Sequence, residues 1–250
     1  MTVHNAAYAA LGLNFVYKAF GISDIAGAII GVRALGIRGC SVSMPFKETV
    51  IPHLDVLDET AKAVSAVNSI VNEAGRLTGF NTDVAGARAA LESVRAHPGE
   101  SVLLLGAGGA ARAILFALKQ LGFDRVRVTN RDPDKISRLN VILPCQSVAW
   151  SEREQEPVDI VINATPIGMT PNREQMPLEE SFIRETRVVM DVVISPMETR
   201  LINCARSACK TVAPGYLMSL EQALVQFALY TGKQPSRDAM EQSMRRLLEQ

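Results

Sequence analysis

The chain has 250 residues, with 26 Lys and Arg against 26 Asp and Glu, and is 48% hydrophobic and 5% aromatic. That length suits one or two domains with a sizeable core, and the zero formal charge speaks against a nucleic-acid partner, which calls for a basic surplus or patch. A charged fraction of 21% beside plentiful Leu, Ile and Val excludes a disordered chain, and no apolar run reaches the ~18 residues of a membrane helix.

Cys40, Cys145, Cys204 and Cys209 lack metal-ligand spacing, and Cys204 and Cys209 read as half-buried thiols in a helix-like stretch. The opening Met1-Thr2-Val3-His4-Asn5 has neither the basic start nor the apolar core of a signal peptide. A reduced, cytoplasmic location is the expectation.

In chain order, a helix is predicted over 4–11, stopped by Gly12, and alternation predicts a strand over 15–20. Ser23 is placed to cap a helix that runs to Leu35 with Asp24 in its first turn, and Gly36 closes it. A short strand is predicted over 37–43. Pro45 suits the first position of a helical turn that carries Lys47 and Glu48. A helix over 59–66 precedes a hairpin, 69–72 and 76–80, turned at Glu73-Ala74-Gly75. Another helix covers 84–96 and ends at His97-Pro98-Gly99.

Beyond that loop the texture changes. Residues 101–105, apolar without a break from Val102 on, bear the mark of a parallel strand buried on both faces. Further strands are predicted over 125–129, 159–163 and 187–192, and helices over 217–229 and 235–248. A boundary falls near Gly99 and a return near Gly215. The last helices are expected to pack back on the first part of the chain, since no strand remains for them to serve.

Between the run at 101–105 and the helix that follows stands Gly106-Ala107-Gly108-Gly109-Ala110-Ala111, a G-x-G-x-x-A turn. Gly106 permits the tight turn, Gly108 lets the backbone approach a pyrophosphate, and Ala111 keeps helix and strand close. The helix start offers free N–H groups and the positive dipole end to phosphates. The competing reading is a glycine turn that serves only close helix–sheet packing. The next strand ends at Thr129-Asn130-Arg131-Asp132-Pro133-Asp134-Lys135, where an adenosine ribose would lie. Arg131 offers a planar fork to a 2′-phosphate and Lys135 a point charge, which favours NADP. Asp132 either accepts from the free 2′-hydroxyl of NAD or caps the helix at Pro133, so NAD stays open. Asn163-Ala164-Thr165-Pro166-Ile167-Gly168-Met169 follows a buried strand, at the sheet edge where ligands bind in open α/β folds.

Three polar residues of the first part are unremarkable alone. A lone Lys47 is usually solvated, Asp83 could merely cap the helix beginning at Val84, and Asn68 needs partners in its apolar context. Their motifs change this. Met44-Pro45-Phe46-Lys47-Glu48, Ala66-Val67-Asn68-Ser69-Ile70, Gly79-Phe80-Asn81-Thr82-Asp83, the glycine turn running on to Arg112, and the Asn163–Met169 segment resemble, in order and spacing, the shikimate dehydrogenase family. The similarity runs from His4-Asn5 to Tyr230-Thr231-Gly232, and Leu11–Phe20 with Ser43–Glu48 resemble most its shikimate dehydrogenase-like branch.

The resemblance implies an α/β fold: an N-terminal α/β substrate domain (1–98), a Rossmann domain that binds NADP (99–215), and C-terminal helices (216–250) returning to the first domain. It implies Lys47 and Asp83 as the catalytic pair, with Asn68 and Gln222 holding substrate hydroxyls and Ser43 beside them. For the cofactor it implies Gly106, Ala107, Gly108, Gly109, Ala110, Asn130, Arg131, Lys135 and Thr165, with Gly215 and Met218 near the nicotinamide. The implied activity is NADP-dependent oxidation of shikimate or a close polyol acid such as quinate. No metal, nucleic acid or membrane is implied, and the chain is expected as a monomer or homodimer. The alternatives are a substrate-divergent or non-catalytic NADP-binding relative, and a folate-linked dehydrogenase, against which Asn81-Thr82-Asp83 argues. Two departures bear on the substrate. The chain begins three residues before His4, so the family's carboxylate-binding Ser-x-Ser pair and first strand are expected to be absent. Ile194 stands where the family has a tyrosine.

Overall fold

In the computed structural model, which describes residues 1–248, the chain opens on helix α1 (Thr2–Ala10). The helix buries Val3, His4, Ala7 and Tyr8. Residues 15–20 do not form the expected strand. Tyr17 N donates to the Asn5 Oδ1 at 2.7 Å and Asn5 Nδ2 donates to Tyr17 O at 3.0 Å, so one amide side chain satisfies the backbone groups that a ladder partner would take. Helix α2 (Ile25–Ala34) has Asp24, not Ser23, at its N-cap position and buries Ile29 and Val32.

Strand β1 (Gly39–Ser41) leads into turns over 44–50 rather than the expected helical turn. The Met44–Pro45 peptide is cis, and Phe46 N donates to Ser43 O before a short 3₁₀ turn at Ile51–His53. Strand β2 (Val56–Leu57) and helix α3 (Glu59–Val64) follow. Asp58 caps α3 by accepting from Ala61 N at 2.8 Å, and Ser65 ends it in the left-handed conformation. The predicted hairpin is present as β3 (Ser69–Glu73) and β4 (Arg76–Phe80). The four strands lie in the order β1-β3-β4-β2, antiparallel except for the parallel β2–β4 pair. Ser69 pairs with Phe80, and Asn68 N donates to Phe80 O, so the segment before β3 and the segment after β4 end side by side. Helix α4 (Asp83–Ser93) starts there.

The second sheet holds β5 (Val102–Leu105), β6 (Val126–Thr129), β7 (Gln146–Val148), β8 (Ile160–Asn163), β9 (Val188–Asp191) and β10 (Thr211–Ala213). The order is β10-β9-β8-β5-β6-β7, parallel throughout. Strands β7 and β10 carry no sequence signal: each has three residues, with Gln146, Ser147 and Thr211 exposed. Helices α5 (Gly109–Gln120), α6 (Asp134–Ser137), α7 (Glu180–Glu185) and α8 (Arg200–Ser207) connect the strands. Alternate residues of β5 face two apolar layers: Val102 and Leu104 join Ile114, Leu115 and Leu118 of α5, while Leu103 and Leu105 join Phe182, Ile183 and Ile202. Full burial of each Leu or Ile is worth about 1.5–3 kcal/mol against exposure, which is why β5 reads as an unbroken apolar run. Cys204 is half-buried in α8, whereas Cys209 lies beyond the helix, exposed and with φ 57°.

Helix α9 (Gly215–Thr231) and α10 (Arg237–Leu248) complete the chain, and α10 packs on α1. Two compact units result: Met1–Ala85 with the segment from Gln222 onward, and Gly86–Glu221. The divisions fall inside α4 and α9, not at the loops near 98 and 215 where turn residues suggested them, because each helix runs unbroken through its division. No helix among the described residues is long and apolar enough to cross a membrane.

His4, 5% exposed, stacks on Tyr17 with ring centroids 4.5 Å apart. Burial pushes its imidazole down to about 4. The unfolded chain takes up a proton at this residue below about pH 6.5, which the folded one refuses. The stability that neutral His4 contributes is therefore present above that pH and lost as pH falls toward 4. We expect His4→Phe, which keeps the stack, to flatten the fall in melting temperature across this window; curves parallel to wild type would remove the assignment.

Candidate active site

Lys47, in the turns after β1, and Asp83, the first residue of α4, meet with Nζ 2.7 Å from Oδ2. Their side chains are 25% and 15% exposed, shielded enough to strengthen the pair and open enough for a ligand to reach it. Asp83 is thus the first residue of α4, and its carboxylate binds this ammonium.

Beside Asp83 in sequence lies a cluster of buried polar groups. Asn68 and Thr82 are each 3% exposed. Asn68 Oδ1 accepts from Thr82 N and from Ser69 Oγ, both at 2.8 Å, and Asn68 Nδ2 donates to Thr82 Oγ1 at 3.0 Å. Thr82 Oγ1 lies 3.1 Å from Gln222 Oε1, and Gln226 Nε2 donates to Ser69 Oγ at 2.8 Å. Asn68 and Gln222 are thus brought together, through Thr82. Ser43 is exposed and takes no part in this cluster. Thr82, Ser69 and Gln226 escaped the sequence reading. The available signals are the motifs that contain Ser69 and Thr82, and the spacing of Gln222 and Gln226, four apart on one helix face. A second chain of hydroxyls adjoins: Tyr17 Oη donates to Ser41 Oγ at 2.5 Å, and Ser41 Oγ lies 3.3 Å from Tyr230 Oη.

In the other unit, Gly106 follows β5 with φ 108°, and a Cβ there would stand 2.7 Å from Ala164 O. Only glycine fits such a position. The order of the sheet reverses between β5 and β8, so this turn sits at the switch point. Gly108 is the N-cap of α5 and supplies no side-chain cap; nothing lies within 4 Å of where a Cβ would be on Gly108 or Gly109. An open space before uncapped helical N–H groups fits a pyrophosphate. Ala107 is buried, and Ala110 lies in the first turn of α5. At the end of β6, Arg131 is exposed, and Asn130 Nδ2 donates to Asp132 O at 2.8 Å. Asp132 Oδ1 accepts from Asp134 N at 3.2 Å, and Lys135 Nζ lies 3.7 Å from Asp132 Oδ2. Asp132 is therefore not the N-cap of α6, a position that Pro133 takes, but it accepts from the helix's first N–H and draws Lys135 back toward itself.

At the ends of β8 and β9, Thr165 Oγ1 donates to Asn163 Oδ1 at 2.6 Å, while Asn163 Nδ2 donates to Asp191 Oδ1 at 3.0 Å. Thr199 Oγ1 and Val193 N also donate to Asp191, which burial pushes up to about 6. Thr165 is thus held in a built loop. Gly215 opens α9 so close to Val193 that a Cβ would collide with the Val193 carbonyl oxygen. Met218 is 6% exposed and packs in the apolar layer with Leu104 and Ile114, so its side chain is a core residue here.

The parallel sheet, its order and the glycine turn define a doubly wound α/β protein of the dinucleotide-binding class, joined to a smaller α/β unit with a Lys–Asp pair. Residues 1–70 match the shikimate dehydrogenase substrate binding domain, and residues 215–245 match the shikimate 5'-dehydrogenase C-terminal domain. A shikimate dehydrogenase-like protein of Haemophilus influenzae is 41% identical over 94% of this chain and 87% of its own. The NADP(+) shikimate dehydrogenase of Moorella thermoacetica is 40% identical over 97% and 87%. The structure of quinate dehydrogenase from Corynebacterium glutamicum in complex with NAD superposes with a TM-score of 0.90 at 30% identity, over 98% of this chain and 93% of that one. The chain belongs to the shikimate dehydrogenase family.

Proposed function

We propose that the chain is an NADP-dependent oxidoreductase that interconverts shikimate and 3-dehydroshikimate, or a close polyol acid such as quinate and its ketone. The observation that carries this reading is the 2.7 Å Lys47–Asp83 pair next in sequence to the Asn68–Thr82–Gln222 cluster. NADP, when bound, supplies the hydride chemistry. The Rossmann unit would hold its pyrophosphate on Gly106–Ala110 and its 2′-phosphate on Arg131, with Asn130, Lys135, Thr165, Gly215 and Met218 around it. In the direction of reduction, the Lys47 ammonium donates a proton to the carbonyl oxygen as hydride reaches the carbon, and the carbonyl becomes a secondary alcohol. Asp83 holds the ammonium in place and accepts a hydrogen bond from the new hydroxyl. Lys47 is then reprotonated from solvent. Asn68 and Gln222 hold neighbouring hydroxyls, and Ser43 stands at the approach. The four cysteines are all free thiols, which fits a cytoplasmic, reducing setting.

The test is reduced-nicotinamide absorbance with NADP and NAD against shikimate, quinate and related alcohols. Turnover of a polyol acid is the expected result; cofactor binding without turnover of any would overturn the enzyme reading. The preference for NADP has its own test. Arg131→Ala is expected to raise KM for NADP about 10–100-fold, the loss of one charge-assisted contact, and to leave KM for NAD nearly unchanged. Equal change for both cofactors would place the 2′-phosphate elsewhere.

A further inference from the structure

We infer that Thr82 is a positioning residue that fixes the polarity of the substrate site, so that Gln222 and Asn68 both present N–H donors to the substrate. This rests on the proposed oxidoreductase reading and carries it one step further. The argument is a count of protons and lone pairs. Asn68 Oδ1 already accepts two bonds of 2.8 Å, from Thr82 N and Ser69 Oγ. Its two lone pairs are filled, so the longer approach of Thr82 Oγ1 at 3.2 Å cannot take a third proton there. Thr82 Oγ1 accepts from Asn68 Nδ2 at 3.0 Å, and of the two oxygens left to its single proton, Gln222 Oε1 at 3.1 Å and Ser69 Oγ at 3.4 Å, we place it on the nearer. Upstream, Gln226 Nε2 donates to Ser69 Oγ, and Ser69 Oγ spends its proton on Asn68 Oδ1.

The side-chain donors then run one way, from Gln226 through Ser69, Asn68 and Thr82 to Gln222, while the Thr82 backbone N–H pins the Asn68 oxygen. Gln222 has its oxygen committed to Thr82, which leaves its Nε2 as the end a ligand meets. Asn68 has one amide proton committed to Thr82 and the second left to give. A substrate oxygen at these two side chains must accept, and a hydroxyl there keeps its own proton for another acceptor, such as the carboxylate of Asp83. With its hydroxyl engaged on both sides, by Asn68 Nδ2 and Gln222 Oε1, Thr82 acts through its neighbours and not on the substrate. Without its hydroxyl, Gln222 loses the anchor that tells its oxygen from its nitrogen.

The test compares Thr82→Val, which keeps shape and removes the hydroxyl, with Thr82→Ser, which keeps it. The readouts are shikimate and quinate kinetics and the side-chain amide signals of Asn68 and Gln222 in nitrogen–proton NMR spectra. In Thr82→Val we expect substrate KM to rise about tenfold, the worth of one lost buried hydrogen bond, with kcat and KM for NADP close to wild type. The Gln222 amide signals should collapse toward free-glutamine positions. Thr82→Ser should restore both. Unchanged substrate KM in an active Thr82→Val enzyme, or unmoved Gln222 amide signals, would overturn the proposal. A wild-type protein that turns over no substrate would defeat the oxidoreductase reading instead, while the amide signals still decide the role of Thr82. Should Thr82→Val fold poorly, failure of well-folded Thr82→Ser to keep the wild-type amide signals and KM would count against it equally.

Discussion

Replacing Lys47 by Met is expected to lower kcat by about 10²–10⁴-fold, the usual worth of a positioned acid or base. Cofactor affinity should stay close to wild type. The Met side chain keeps the apolar stem and removes only the charged end. It leaves Asp83 Oδ2, now 2.7 Å from Nζ, without its partner. Asp83→Asn is the complementary change: it preserves volume but removes the charge that holds the ammonium, and its kcat should also fall steeply. Because the two side chains act as one unit, the double variant should be little worse than the poorer single one. Losses that multiply would mean that Lys47 and Asp83 work independently. Near-normal kcat in either single variant would remove the assignment.

The second large effect lies in the glycine turn, where two neighbouring glycines are expected to fail in different ways. Gly106→Ala must place a Cβ 2.7 Å from the backbone oxygen of Ala164 at φ 108°. Such backbone strain costs roughly 1–3 kcal/mol before the clash is added, and each kcal/mol lowers the melting temperature by about 2–4 °C in a chain of this size. Gly106→Ala should therefore lose stability and cofactor binding together. At Gly108 φ is −88° and nothing lies within 4 Å of the added Cβ. Gly108→Ala should leave the melting temperature of the free protein unchanged and still raise KM for NADP at least about tenfold, since a methyl group there displaces a phosphate from hydrogen-bonding range of the amide groups. Thermal melts and cofactor titrations of the two variants check this. Equal stability losses, or unimpaired cofactor binding by Gly108→Ala, would contradict a pyrophosphate at this turn.

The chain's elements are legible in its residues where a local pattern meets a local need. Leu103, Leu104 and Leu105 announce a strand buried on both faces, and Gly106 announces the turn after it, because neighbours in the chain impose both requirements. The hairpin at Ala74 and Gly75 is legible for the same reason, with both residues at positive φ. Phe15–Phe20 shows the limit. Its alternation suits a strand, yet a strand needs a partner strand, and here the Asn5 side chain and Met1 Sδ take backbone groups of Tyr17 and Ala19 instead. Strands β7 and β10 show the opposite failure: they are short, with Gln146, Ser147 and Thr211 exposed, and exist because a neighbouring strand offers its edge.

The candidate site divides similarly. Lys47, Asp83, Asn68 and Gln222 were named by motif, and nothing in their spacing alone would have joined residues as distant as 68 and 222. Thr82 joins them through hydrogen bonds that appear only once the β3–β4 hairpin and α9 have folded together. Met218, which the motif puts by the nicotinamide, also packs its side chain in the apolar layer.

The most direct test of the central claim follows the hydride itself. Wild-type protein is incubated with 3-dehydroshikimate, or the ketone of quinate, and NADPH that carries deuterium at the transferring position, and the product is analysed by mass spectrometry. The expected result is an alcohol heavier by one deuterium at the former carbonyl carbon, formed far more slowly by Lys47→Met. Oxidised cofactor without labelled alcohol, or no product from either ketone, would contradict a dehydrogenase built on Lys47 and Asp83.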